Sequence, residues 1–299
     1  MRYHIQKALD QFCQVALWER NLRPSTARWY KDVVKFYLLF YKNRLVFLDE
    51  ITTESLRHYF YQKRSSGAWT ADTHHNRYRA LKTFLKWCMQ NGYIGRNPVE
   101  QIEKPRLEKK LPKRLSSQDA FRIMECVFNE KTYYRFTRYR NRAVLGIMLY
   151  AGLRANEMLS LKTNHIDLNN RIISVFQGKG AKDRVIPMNR TLHCYLDEYS
   201  KERLRLGKSS EYFFTSLRGN QCFTYSGLRR VVEKAKAATG VQFSPHRLRH
   251  TFATLMLEGG CDLFSLQKMM GHSDIKTTTI YLSASVSLLQ EQINKHPLG

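Results

Sequence analysis

Residues 244–254 read SPHRLRHTFAT, and this stretch organises the reading of the whole chain. Ser244 is an N-cap residue and Pro245 suits the first helical position, so a helix is predicted from there. His246, Arg249 and His250 then share one face of its first turns, at spacings of three and four. Free amides and the positive dipole end favour an anion at such a start. A phosphate there would meet N–H groups, a guanidinium and imidazoles together. Zinc is the rival for an HxxxH pair. Arg247 rules out HExxH, however, and no carboxylate or cysteine nearby completes a ligand set, so no metal is expected.

Three further pieces lie outward from this stretch. AGLRANEMLSL (151–161) places Arg154 after a glycine that closes an apolar helix, with Glu157 three residues on to orient a guanidinium or a helix end. QGKGAKDR (177–184) places Lys179 between two glycines at a predicted hairpin tip, with Lys182 and Arg184 on the descending side as DNA-reaching cations. The spacing is not that of a nucleotide-binding P-loop, so no nucleotide or other cofactor is expected. GHSDIKTTTIYLSAS (271–285) carries His272 and, nine residues later, Tyr281. Taken singly, each is an ordinary structural residue. Jointly they fit one task. Displacement at a phosphodiester builds charge on the phosphoryl oxygens, which fixed cations offset. Arg154 and Arg249 are natural forks for two such oxygens. The phenol of Tyr281 is a nucleophile once its proton is removed or its anion stabilised. His246 is a candidate base or phosphate donor, His272 a donor, and Lys179 a candidate acid for the leaving oxygen.

The bulk properties agree. Fifty Lys and Arg stand against 25 Asp and Glu in 299 residues, a formal net charge of +25. An excess that large favours a polyanionic partner, nucleic acid before a membrane surface. It is spread over the chain: residues 1–110 carry 21 basic and 10 acidic side chains, and the remainder 29 and 15. The six cysteines form no CxxC pair and read as buried free thiols of a cytoplasmic protein. No signal-peptide core and no apolar run of membrane-spanning length is present.

The predicted fold is mainly α. Residues 1–102 form a helical domain. The first clear helix follows Leu22, with Trp29, Val33, Phe36, Tyr37 and Phe40 as its apolar residues. Another covers THHNRYRALKTFLKWCMQNG (73–92), with Tyr78, Leu81, Leu85 and Cys88 as its stripe. His75, Arg79, Lys82 and Lys86 form a second face, either against DNA phosphates or merely solvated. Residues 103–115 are a basic, proline-containing linker. Residues 116–299 form an α-rich domain with one small β-hairpin over 171–188 and a tail helix after Tyr281.

In order and spacing, AGLR, GKG, HRLRH, GH and the final tyrosine resemble the tyrosine recombinase (phage integrase-type) family. The resemblance spans nearly the whole chain, in the short layout of Xer recombinases, compact integrases and transposon recombinases. It implies a helical core-binding domain followed by a catalytic domain. It also implies attack by Tyr281 on the scissile phosphate, a 3′-phosphotyrosyl bond, a free 5′ hydroxyl and a Holliday junction. The implied catalytic set is Arg154, Lys179, His246, Arg249, His272 and Tyr281, with Glu157 and His250 in support. The implied partners are paired core sites in double-stranded DNA and three further protomers, identical or paralogous. The layout lacks the extra helix of an integron integrase and an arm-site domain, which implies simple core sites. A non-catalytic DNA-binding protein and a type IB topoisomerase are the competing readings.

Overall fold

The computed structural model describes residues 2–104, 106–107, 114–131, 134–176, 183–271 and 276–279. It divides into two compact units, Met1–Lys109 and Lys110–Gly299. Most of the basic stretch 103–115 lies outside the described residues.

The first unit is built from helices α1 (Ile5–Trp18), α2 (Pro24–Phe40), α3 (Thr53–Ser65) and α4 (Ala71–Gln90), with single 3-10 turns at Leu48–Glu50 and Pro98–Gln101. Local chemistry sets the starts. Pro24 opens α2, and the hydroxyls of Thr52 and Thr70 accept from the amides of Ser55 and Thr73 to cap α3 and α4. The expected stripe of α4 is buried, in a core with Phe12, Tyr37, Tyr59, Phe60 and Phe84. On α2 the expected face is displaced. Val33, Val34 and Tyr37 are buried, whereas Phe36 is 52% exposed and Trp29 sits at the rim. Seven residues apart, those two rings lie on the side of α2 turned from the core, where the Arg77 guanidinium stacks over Phe36 at 5.0 Å.

The second unit contains α5 (Ser117–Asn129), α6 (Arg135–Tyr150), α7 (Ala155–Leu159), α8 (Arg190–Arg205), α9 (Tyr225–Thr239), α10 (Pro245–Glu258), α11 (Leu263–Met270) and α12 (Lys276–Thr279). Between α7 and α8 lie β1 (Ile166–Asp167), β2 (Ile172–Val175) and β3 (Arg184–Pro187). The strands form an antiparallel sheet in the order β1-β2-β3, with Ile173 opposite Ile186 and Val175 opposite Arg184. The hairpin was legible in the sequence. Strand β1, two residues long, is too short to show a period in the sequence.

Helix α6 is the centre of this unit. Every residue from Arg140 to Leu149 is buried, and α5, α8 and α10 pack around it. Helix α10 is locked to the start of the unit by Thr251, whose buried hydroxyl accepts from the Leu115 amide at 2.9 Å and donates to the Arg247 carbonyl. The cysteines are free, but the expectation that they are buried holds only for Cys88; Cys194 is exposed and the other four are half-buried. Short helices and amphipathic surfaces leave a small thiol at the edge of the core as readily as inside it. No described helix is long and apolar enough to cross a membrane.

Candidate active site

The site grows from the ends of α6, α10 and α11. Helix α6 stops at Ala151, and Gly152 turns the chain with φ +64°. Leu153 is buried, and extended Arg154 becomes the N-cap of α7. Glu157, expected to orient a guanidinium or a helix end, is bonded to both. Its Oε2 accepts from the Arg154 backbone amide at 2.8 Å and its Oε1 from the Arg154 Nη1 at 2.7 Å. Ser244 caps α10 as expected, its hydroxyl accepting from the Arg247 amide at 3.2 Å. That start directs His246, Arg249 and His250 to the same region.

Three arginines converge on Glu157. Arg184 donates to both carboxylate oxygens, Nη1 to Oε1 at 3.2 Å and Nη2 to Oε2 at 2.7 Å. Arg249 Nη1 lies 3.9 Å from Oε2. The same guanidiniums also cap the end of α11. Arg184 Nε donates to the Met269 carbonyl at 2.8 Å, Arg249 Nη2 to Met270 at 2.6 Å and Arg154 Nη2 to Gly271 at 3.2 Å. These three consecutive carbonyls belong to the last turn and cap of the helix, at its negative end, where cations bind favourably. Arg249 Nη1 donates to the Gly152 carbonyl, which joins the α6 turn to the cluster.

Three guanidiniums against one carboxylate leave this cluster strongly positive. Its members differ in access: the Arg154 side chain is 40% exposed, Glu157 11%, Arg184 6% and Arg249 2%. Burial alone would raise the Glu157 pKa. The hydrogen bond from Arg184, followed by the amide and guanidinium of Arg154, holds it below the ordinary carboxylate value, so Glu157 is an anion at neutral pH.

His246, exposed, and His250, half-buried, are neighbours, edge to face, with ring centroids 4.4 Å apart. Burial, then Arg249 and Arg154, lowers the pKa of His246. Burial, then His246 and Arg249, pushes that of His250 down to about 4. Both rings are therefore neutral at pH 7, and either can accept a proton. A stability effect follows. Between the ordinary value of 6.5 and about 4, the unfolded chain binds protons that the folded protein refuses. The second unit should lose stability as pH falls through that window and regain it above 6.5. Thermal unfolding from pH 4 to 8 measures the slope, and His250→Gln should flatten it. Glu157 adds an acid loss of its own, which begins as pH falls to the ordinary carboxylate value of 4.5 and runs on down through its lowered one.

Arg154, Glu157, Arg184, His246, Arg249 and His250 thus stand together. Lys179, Lys182, His272 and Tyr281 lie outside the described residues. The reading of Arg184 as a DNA-reaching cation needs correction, because its side chain is enclosed and its guanidinium engaged with Glu157 and Met269. The signal was present in the strand period. Arg184 is two residues before buried Ile186 and so shares its inward face. In the first unit, Arg79, Lys82 and Lys86 line an open trough together with Arg20, Thr83 and Gln90. Arg20 follows the end of α1 and was not foreseen. His75 does not line this trough; its Nδ1 is buried without a hydrogen-bond partner.

Residues 113–287 match the model of the phage integrase family. The chain is 31% identical to the tyrosine recombinase XerD of Pseudomonas aeruginosa over 97% of both proteins. Among solved structures it is similar to the XerA recombinase, at 28% identity, 97% and 98% coverage and a TM-score of 0.55. It also shares the fold of the XerH site-specific recombinase bound to palindromic difH substrate, with 23% identity, 96% and 83% coverage and a TM-score of 0.73. The chain belongs to the phage integrase, or tyrosine recombinase, family. It is an enzyme of site-specific DNA recombination that works by the tyrosine mechanism.

Proposed function

We propose that Tyr281 is the nucleophile and that the arginine cluster around Glu157 is the seat of the scissile phosphate. The phenolic oxygen of Tyr281 attacks phosphorus, the bond to the 5′ oxygen breaks, and Lys179 protonates that oxygen as it leaves. His246 takes the phenolic proton or donates to the phosphate. In the second half, a 5′ hydroxyl from the partner duplex attacks the 3′-phosphotyrosyl bond and Tyr281 recovers its proton. Each step exchanges one phosphodiester for another, so no nucleotide is consumed. Arg154 and Arg249 hold the nonbridging oxygens, His272 donates to one of them, Glu157 fixes Arg154, and His250 supports His246.

The observation that carries this reading is the convergence of Arg154 and Arg249 on one carboxylate and one helix end, beside two neutral imidazoles. The more exposed Arg154 meets the phosphate first. Arg249 exchanges carbonyl partners for a phosphate oxygen, which is the stronger, charge-assisted acceptor. The decisive experiment uses nicked suicide duplexes drawn from the DNA that flanks its gene. A covalent adduct should form, and peptide mapping should place it on Tyr281. If no duplex captures the protein, the proposal falls.

The protein acts in the cytoplasm as a tetramer, identical or with a paralogue, on two duplexes paired at their core sites. Its biological role is dimer resolution, phage integration or transposition, decided by the DNA around its gene. The trough of Arg20, Arg79, Lys82 and Lys86 follows the phosphate backbone, Lys182 reaches the duplex from the other unit, and His75 supports α4 rather than touching DNA. Each of Arg79→Ala, Lys82→Ala and Lys86→Ala should lower the slope of log affinity against log salt by about 0.9, the effect of one lost phosphate contact. Titrations of a core-site duplex between 50 and 200 mM salt test it, on the order of the range over which such slopes are resolved. An unchanged slope in all three variants would remove α4 from the interface.

A further inference from the structure

Arg184 has the marks of a residue built into the site rather than presented to DNA. It opens β3 opposite Val175, on the inward face that Ile186 continues into the core. Three of its donor groups are in use: two reach the Glu157 carboxylate and the third the Met269 carbonyl. Only a planar guanidinium meets this demand. Its fork spans two carboxylate oxygens while Nε faces a third acceptor, whereas a lysine offers one ammonium. Glu157 in turn receives the backbone amide and the Nη1 of Arg154. Fixing that carboxylate therefore fixes the approach of Arg154.

We infer that Arg184 is a positioning residue for recombination: it clamps Glu157 and the end of α11, and so holds Arg154 in register for the scissile phosphate. The inference rests on the proposed role of Arg154 as a phosphate fork. It separates from a DNA-contact role because a contact is lost in binding, and a clamp in the chemical step. It also predicts a change in titration. Among the described residues, the groups facing Glu157 are Arg154 on its own segment, Arg184 from β3 and Arg249 from α10, with His246 and His250 beside Arg249; α11 presents backbone carbonyls. Without Arg184, a carboxylate that is mostly buried loses the strongest of the influences holding its pKa down.

The test compares wild type, Arg184→Gln, Arg184→Lys, Glu157→Gln and the Arg184→Gln/Glu157→Gln double variant on the suicide duplexes that capture the wild type. Binding should keep its salt slope in all of them. Capture by Arg184→Gln should slow by about 10- to 100-fold, the scale of a misplaced catalytic group. Its rate relative to wild type should fall further as pH drops from 8 to 5, and the double variant should lose that extra dependence. Arg184→Lys keeps the charge without the fork and should fall between; it carries the comparison if Arg184→Gln does not fold. A salt slope lowered by about 0.9 would instead make Arg184 a DNA contact. A rate ratio independent of pH would overturn the clamp. If the wild type captures no duplex, the functional reading fails, and the clamp is then decided in the free protein. Carboxyl 13C titration should show the Glu157 pKa higher in Arg184→Gln than in wild type, and an unmoved value refutes it.

Discussion

Tyr281→Phe should abolish covalent capture of DNA while leaving equilibrium binding of the same duplex nearly unchanged. The substitution removes one oxygen and keeps the ring, so packing and charge are preserved. If Tyr281 is the nucleophile, as proposed, the variant has no oxygen there to form the bond to phosphorus. On the proposed reading the arginine cluster should still seat the phosphate, because Glu157, Gly152 and α11 hold Arg154 and Arg249. Deleting an activated nucleophile typically costs on the order of 10^4-fold or more in rate. Adduct formation on suicide duplexes should therefore drop below detection. The chain has 17 tyrosines, so the adduct must be mapped as well as counted. A Tyr281→Phe protein that still forms the adduct, on whichever tyrosine, would assign the chemistry elsewhere. A topoisomerase would also lose capture in this variant. It differs in the wild type, where it would relax supercoiled DNA with no preference for a core site.

Gly152→Ala should destabilise the second unit by about 2–5 kcal/mol. Two costs combine. At φ +64° an L-residue pays about 1–2 kcal/mol for the left-handed conformation. The new methyl group would also stand 2.3 Å from Cδ1 and 2.7 Å from Cε1 of Phe252. That ring is buried among Ala253, Leu257, Leu266 and Met270 and cannot swing away, so overpacking adds about 1–3 kcal/mol. Thermal denaturation should show a fall of about 5–15 °C for a unit of this size. Phe252→Leu in the same protein should recover part of the loss, since the two residues share one contact. Capture should also slow, because the Gly152 carbonyl accepts from Arg249 and any shift of the turn moves that guanidinium. A Gly152→Ala protein as stable and as active as wild type would show that neither the turn nor the contact constrains the site.

Gly152 shows how far the sequence could be read. Its place at the end of an apolar helix was plain from AGLR, because a glycine stop is a local signal. Its second duty, making room for Phe252 one hundred positions later, has no local trace. Glu157 divides the same way. Its use as an orienting carboxylate followed from its place three residues after Arg154, within one helical turn. Its pairing with Arg184 joins residues 27 positions apart, on β3 and α7. Arg184 follows two lysines in a basic hairpin, which suggests a DNA-facing cation, but charge alone does not say which face of a strand a residue occupies. Only Ile186, two residues on, carried that information.

By itself, then, the sequence determined the elements and the chemistry. Caps, glycine stops and helical or strand periods act within a few residues, so the mainly α architecture, the hairpin and the ordered set of Arg154, His246 and Arg249 were legible in it. The net charge, a property of composition, named the polyanionic partner. Tertiary structure decided which cations remain available and which are consumed inside the protein. Arg154 reaches the Gly271 carbonyl across 117 positions and Arg249 the Gly152 carbonyl across 97. Such bonds depend on three helix ends meeting in space, and the pKa values of Glu157, His246 and His250 depend on the burial and the charges that meet there. Neither can be read from spacing along a chain, because both are set by what packs against a residue rather than by what precedes it.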